Sequence, residues 1–278
     1  MEWHAIDYCA PEAPSQFVAS IREIGFAVLR EIPVTASFIA AVYRDWEAFF
    51  LSSEKYAYQF DPAIQSGYFP FQSETAKGND RPDLKEFFHL YEWTELPSGM
   101  SDRTWQLFHR LRAVAETLLE WLEQGLPPQV RRQLLTPLSD TIRASTQTLL
   151  RPIHYPPLPR AANGALRAAA HEDINLITLL PAATATGLEV QAESGEWIGV
   201  PNRAGEAIVN VGDMLQLATG GFYRSTSHRV VNPTGEASQR SRFSMPLFLH
   251  PRPEIHLTPD ITADDYLKAR LKALGLQD

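Results

Sequence analysis

The stretch AAAHEDINLITLL, residues 168–180, sets His171 and Asp173 on either side of a glutamate, directly ahead of an apolar run that reads as a buried strand. Side chains two apart on an extended chain point to the same side. An imidazole and a carboxylate therefore share one face, while Glu172 alternates away from them. Two readings are open at this point: a surface or turn pair, or two of the three ligands of a metal site. Just upstream, RAANGALRAAA (160–170) is Ala-rich with one Asn-Gly step and reads as a loop.

Outward from this stretch, everything after about residue 147 has one texture. TLLRPIHYPP, NLITLLPA, GLEVQAES, EWIGVP, EAIVNVGD, MLQLAT, SHRVVNP and SRFSMPLFLHP are short β-like runs between turn residues. Close spacing of this kind predicts an antiparallel sandwich or barrel. Gly187, Gly195 and Gly205 read as turn glycines. VGD (211–213) reads as a turn entering a strand, with Asp213 a local turn former. TADDYLKARLKAL closes the chain as a helix capped by Thr262, with Asp265 as the first-turn acid.

The half before residue 147 reads as mostly helical. SQFVASIREIG repeats apolar residues at helical spacing behind a Ser15 cap, with Gly25 as its stop. FAVLREI (26–32) reads as a strand, SFIAAVYRDWEAFF as a second helix, and SDRTWQLFHRLRAVAETLLEWLEQG as the longest, capped by Ser101 and ending near Gly125. There is no internal repeat or low-complexity segment.

Composition narrows the class. The 278 residues are 44% hydrophobic, enough for one large core, and we expect one compact unit: a helical region over 1–147 and a β core over 148–278. The net charge of −8 is spread without a basic patch, which argues against a nucleic-acid partner. Cys9 is the only cysteine, so no internal disulfide forms, in agreement with a reducing compartment. MEWHAIDYCAPEAP lacks a basic start followed by an apolar core, and no apolar stretch approaches bilayer length. We expect a cytoplasmic protein with no signal peptide and no membrane partner.

A metal site needs a third ligand. GGFYRSTSHRVVNP (220–233) supplies His228 at the head of a strand. Two histidines and one carboxylate on one face leave positions open, the arrangement non-haem Fe(II) oxygenases use. RSRFSMPLF (240–248) then places Arg242 and Ser244 on one face of the next strand. Arginine offers a planar fork to a carboxylate and serine adds a hydroxyl beside it. Buried in a barrel, that pair is costly without an anion to meet. Arg240 shares the face by alternation, but only Arg242 stands in R-x-S spacing with Ser244. His4, His89, His109, His154, His250 and His256 lack such a constellation and read as surface or structural residues.

These segments carry a resemblance. In HEDINLITLL, in EWIGVPNRAGEAIVNVGDMLQLATGGFYRSTSHRVVNP and in RFSMPLFLHP, the chain resembles the isopenicillin N synthase-like branch of the iron/2-oxoglutarate-dependent dioxygenases. IREIGFAVL, SGYFPF, PDLKEFF and TADDYLKARL extend the likeness from about residue 17 to 272. The resemblance implies a mainly β fold with flanking helices, a double-stranded β-helix or distorted jelly roll. It implies His171, Asp173 and His228 as ligands of Fe(II), and Arg242 and Ser244 as holders of the distal carboxylate of 2-oxoglutarate. Tyr155 stands where relatives place a tyrosine that reaches the same pocket, with His154 facing the other way. Many plant relatives carry an asparagine where this chain has Ile153, so one hydrogen bond to the co-substrate is missing or comes from elsewhere.

The implied activity is oxidation of a C–H bond in a small organic substrate, by hydroxylation, desaturation or cyclisation. O2 is the second co-substrate, ascorbate a supporting reductant, and succinate and CO2 the co-products. Tyr68, Phe69, Phe71, Phe87 and Phe88 come from segments near the pocket mouth in relatives. Singly they read as core residues; together they suit a partly apolar substrate. No protein partner is inferred. Two other functions remain open: an oxidase that takes all four electrons from its substrate, as isopenicillin N synthase does, and a non-catalytic binding protein for a metal or an oxo-acid. The intact triad argues against the second.

Overall fold

Three apolar runs, FAVLR, ITLLP and AIVNV, become the neighbouring strands Phe26–Arg30, Ile177–Pro181 and Ala207–Val211. A strand covered on both faces needs no apolar–polar alternation, and these three are buried almost throughout. In the computed structural model, which describes residues 3–76, 80–158 and 164–273, they are the middle of a six-stranded sheet. Its order is Ala5–Asp7, Phe26–Arg30, Ala207–Val211, Ile177–Pro181, Leu247–Leu249 and Leu149–Leu150. All neighbours are antiparallel except the first pair.

The two faces of this sheet meet different partners. Ala27, Leu29, Ile177, Leu179, Val209 and Val211 pack against the helices of the first half, on Phe17 and Ile21 of Ala13–Ile24, Val42 and Trp46 of Ala36–Leu51, and Leu111 and Leu118 of Arg103–Gln124. Each large side chain buried in those helical stripes contributes about 1.5–3 kcal/mol. Phe26, Val28, Leu180 and Ile208 point the other way, into a second cluster shared with Ala168, Val190, Val230, Ile153, Tyr155 and Phe87.

Two four-stranded sheets close around that interior. One runs Trp197–Gly199, Leu188–Gln191, His228–Val230, Ala168–His171. The other runs Arg242–Ser244, Ile153–Tyr155, Glu86–His89, Gly67–Phe69. The result is a jelly roll with helices over the outer face of its larger sheet, the expected fold class.

Several elements differ from the sequence reading, each for a physical reason. Ala168–His171 is a strand where a loop was expected; pairing with His228–Val230 overrides the poor β-propensity of alanine. The earlier part of that expected loop, 160–163, lies outside the described residues. MLQLAT forms the helix Asp213–Ala218, and its Met, Leu, Gln and Ala are good helix formers. TLLRPIHYPP and SRFSMPLFLHP each divide at a proline, Pro152 and Pro246, and each sends its two halves into different sheets. Proline cannot donate to a ladder, so it marks such corners. Ala5–Asp7, Gly67–Phe69 and Glu86–His89 are strands in the half that reads as mostly helical, too short to show a period.

Helix starts also moved. The first helix begins at Ala13, and the Ser15 hydroxyl bonds the Glu12 carbonyl rather than capping. Ser101 donates to Asp45 instead of capping Arg103–Gln124. Thr262 and Asp265 do form the expected reciprocal cap, Thr262 N–H to Asp265 Oδ2 at 3.2 Å and Asp265 N–H to Thr262 Oγ1 at 3.1 Å.

Candidate active site

At one end of the interior two polar side chains replace the apolar ones. Thr178 and Asn210 are register partners on adjacent strands, and both are buried. The Thr178 hydroxyl and the Asn210 amide (2.8 Å) both donate to Oδ2 of Asp173. That leaves Oδ1 as the free oxygen of a carboxylate that is only 7% exposed. Asp173 itself lies past the end of the strand Ala168–His171, in the turn before Ile177–Pro181. Its face is therefore set by the turn rather than by strand alternation. Asp213 N–H donates to the Asp173 carbonyl at 2.7 Å and pins that turn. The close approach depends on Gly212, where a Cβ would stand 2.1 Å from the Asn175 carbonyl oxygen.

His171 ends its strand and His228 begins the neighbouring one; the two are register partners, with ring centroids 4.5 Å apart. His171 Nδ1 meets the Ala169 carbonyl at 2.8 Å and His228 Nδ1 meets the Thr226 carbonyl at 3.1 Å. A carbonyl only accepts, so each Nδ1 carries the proton and each Nε2 presents a lone pair. Those Nε2 atoms stand 3.9 and 3.7 Å from Asp173 Oδ1. One ligand atom from each of the three residues falls within 4.8 Å of the others. Burial, then the neighbouring His228, pulls His171 below its ordinary pKa. Burial alone raises Asp173, but His228, His171, Asn210 and Thr178 outweigh it and hold the carboxyl below its usual range. Both shifts favour the ligating form, neutral imidazole and ionised carboxylate.

A second polar pocket lies on the other small sheet. Arg242, Ser244 and Tyr155 are all buried, and Arg242 pairs in register with Tyr155. The guanidinium carbon lies 5.0 Å from the Tyr155 ring centre, and Nε donates to the Ala185 carbonyl at 3.0 Å. Nη1 is buried with no partner among the described residues. Alternation sends His154 the other way, to Glu86 (2.7 Å) and Ser241 (2.9 Å), flat against Phe243. Arg240 is exposed and contributes no side chain here. Phe26 packs edge-on against His228 at 5.4 Å and shares an apolar cluster with Tyr155, so the two polar groups flank one apolar cluster.

The pocket-mouth aromatics divide by alternation. Phe87 faces the interior and stacks on Phe69 at 4.4 Å, Tyr68 and Phe88 join the helix-side core, and Phe71 is exposed. Glu172 is exposed as expected. It lines, with Ser225, Thr226 and Ser227, a cavity of about 580 Å³ beside the ligand-bearing segments.

Some supporting residues escaped the sequence reading. Thr178 and Asn210 had one signal, a polar residue interrupting an apolar run. Asp83 had none: its Oδ1 accepts from Ala169 N–H at 2.9 Å and braces the strand that ends in His171. Lys85 joins Asp83 (2.8 Å) to Glu74 (2.5 Å). Burial lowers the Lys85 ammonium, but the two carboxylates outweigh it and hold it above its usual pKa.

Comparison with known proteins bears on this geometry. A family model of the 2OG-Fe(II) oxygenase superfamily matches residues 145–251, and one for the N-terminal region of a non-haem dioxygenase in morphine synthesis matches 10–110. A 2-oxoglutarate-dependent dioxygenase of Monascus ruber, citB, is 41% identical over 114 residues, 40% of this chain and 33% of that protein, so the chain matches about a third of its length. A crystal structure from Shewanella oneidensis, described as an oxygenase, is 42% identical with a TM-score of 0.90, covering 99% of this chain and 100% of that one. A structure from Caulobacter crescentus, described as a 2OG-Fe(II) oxygenase family protein, is 31% identical with a TM-score of 0.78, covering 97% and 98%.

Proposed function

The chain belongs to the 2OG-Fe(II) oxygenase superfamily, and we propose that it oxidises a C–H bond of a small organic substrate with release of succinate and CO2. In this reading His171, Asp173 and His228 hold one Fe(II), and Arg242, Ser244 and Tyr155 hold 2-oxoglutarate. The donor set suits the metal: two imidazole nitrogens and a carboxylate oxygen lie within 4.8 Å of one another, each His Nε2 within 4 Å of Asp173 Oδ1. The observation that carries the co-substrate is the buried Nη1 of Arg242, unpartnered among the described residues. An orphaned buried cationic donor is costly until an anion meets it.

When bound, Fe(II) with 2-oxoglutarate and O2 supplies the oxidant, and one substrate C–H bond is spent for each 2-oxoglutarate decarboxylated. The chain's own residues position and insulate. Thr178 and Asn210 reserve Asp173 Oδ2 so that Oδ1 alone turns to the centre. The Ala169 and Thr226 carbonyls orient both imidazoles. Arg242 sets the co-substrate's depth by neutralising its far end, and Phe26 keeps an apolar wall against His228. The regions 1–147 and 148–278 act as one compact unit, supported by the sheet and core they share. The lone, exposed Cys9 supports a cytoplasmic location, and the net charge of −8 supports a small molecule rather than a nucleic acid as partner. Ascorbate serves only to keep the metal reduced.

The test is succinate formation from 2-oxoglutarate by protein loaded with Fe(II), followed while candidate small molecules are added. Slow turnover that needs both Fe(II) and O2, accelerates with a true substrate and vanishes in Asp173→Ala is the expected result. Iron binding without succinate under any condition points to the four-electron oxidase instead.

A further inference from the structure

Arg167, just ahead of the strand that ends in His171, is buried as deeply as Arg242: 1% and 2% exposed. Its guanidinium carbon lies 6.0 Å from the centre of the Tyr155 ring, the ring on which Arg242 also rests. Nη2 donates to the Arg240 carbonyl at 3.0 Å, while Nε is buried with no partner among the described residues. Elsewhere, the buried Lys85 meets Glu74 and Asp83, and the half-buried Lys55 meets Glu86. Arg167 and Arg242 meet none among the described residues. Burial, and then the charge of Arg242, pull Arg167 down to about 10.

Anchoring the local chain does not explain this guanidinium. The segment is already fixed through its backbone: Asn232 Oδ1 accepts from Arg167 N–H at 3.0 Å, and Asn232 Nδ2 donates to the Ala165 carbonyl at 2.7 Å. Two buried like charges beside one ring, each with an idle donor, make a site for an anion. Ile153, on the same strand as Tyr155, is buried and offers no donor of its own.

We propose that Arg167 is a second carboxylate-binding residue of the co-substrate pocket, acting with Arg242 on the distal carboxylate of 2-oxoglutarate and so selecting a 2-oxo diacid over a 2-oxo acid that lacks that group. The inference rests on the co-substrate reading above and adds a residue and a selectivity to it.

The test is binding, read without turnover. Fe(II)-loaded protein is titrated anaerobically with 2-oxoglutarate and with 2-oxopentanoate, which keeps the chelating end and lacks the distal carboxylate. Dissociation constants come from the metal-to-ligand charge-transfer absorption. Arg167→Gln weakens 2-oxoglutarate by about tenfold or more, the worth of a charged hydrogen bond, and leaves 2-oxopentanoate within about twofold by the same reasoning. Arg167→Lys, which keeps the charge, recovers part of the loss and serves alone if the glutamine variant does not fold. Equal weakening of both ligands shows a structural role and overturns the proposal, as does an Arg167→Gln affinity for 2-oxoglutarate equal to that of a wild type that binds it. A wild type that binds no 2-oxoglutarate at all removes the co-substrate reading together with this inference.

Discussion

Thr178 and Asn210 hold one oxygen of Asp173 and leave the other facing His171 and His228, the proposed partners in metal binding. Asn210→Ala removes one of those holds without touching any ligand. We expect Fe(II) affinity to fall by roughly 10–100-fold, measured by metal titration, with the fold retained on thermal melting; unchanged affinity contradicts the assigned role. Gly212→Ala puts a Cβ 2.1 Å from the Asn175 carbonyl oxygen, a backbone atom that cannot move aside alone. We expect a loss of about 1–3 kcal/mol in denaturant unfolding, and weaker iron binding because the Asp173 turn shifts with it; wild-type stability refutes the tight contact. At this scale the proposed site residues stood out in the sequence, since His171, Asp173, His228 and Arg242 are residue types that chemistry singles out, and the structure brings the first three together. Thr178, Asn210 and Asp83 were not, because a strand threonine or a loop aspartate has many uses and only the tertiary pairing reveals which.

Among the elements, legibility followed length. The helices Ala36–Leu51 and Arg103–Gln124 repeat their apolar period over several turns and were read almost to their ends. Asp213–Ala218 spans six residues and looked like a strand, because so short an apolar run fits either period. The proline corners at Pro152 and Pro246 hid the largest topological fact, that one apparent run serves two sheets. The closing helix Ala263–Ala273 offers a test of what its cap does. Thr262→Ala removes the reciprocal bond with Asp265 and is expected to cost about 1 kcal/mol, seen as a lower urea midpoint. The same helix carries Arg270 to Asp213 at 3.0 Å, so fraying there also loosens the turn that pins Asp173. A midpoint equal to wild type argues that the helix is held by packing alone.

For the whole molecule, two half-buried histidines away from the triad contribute to the response to acid. Burial pulls His250 down to about 4, and burial followed by the charge of Arg151 holds His89 well below 6.5. Unfolded, both titrate near 6.5. Above that pH neither state is protonated and the two contribute nothing to pH dependence. Below it the unfolded chain takes up protons that the folded chain refuses, so stability falls as pH drops from about 6.5 towards 4. Denaturant unfolding across that range checks it: His250→Gln and His89→Gln should flatten the slope, and a stability that rises on acidification contradicts the assignment.

The fold as a whole was legible through a resemblance covering nearly the entire chain, and the central claim it led to is chemical. The most direct measurement adds Fe(II) to the apo protein under anaerobic conditions and then titrates 2-oxoglutarate. The account predicts one iron per chain and a saturable metal-to-ligand charge-transfer band, absent in His171→Ala and displaced to much higher 2-oxoglutarate in Arg242→Ala. A wild-type protein that binds no stoichiometric iron, or binds it and shows no band with 2-oxoglutarate, contradicts the account.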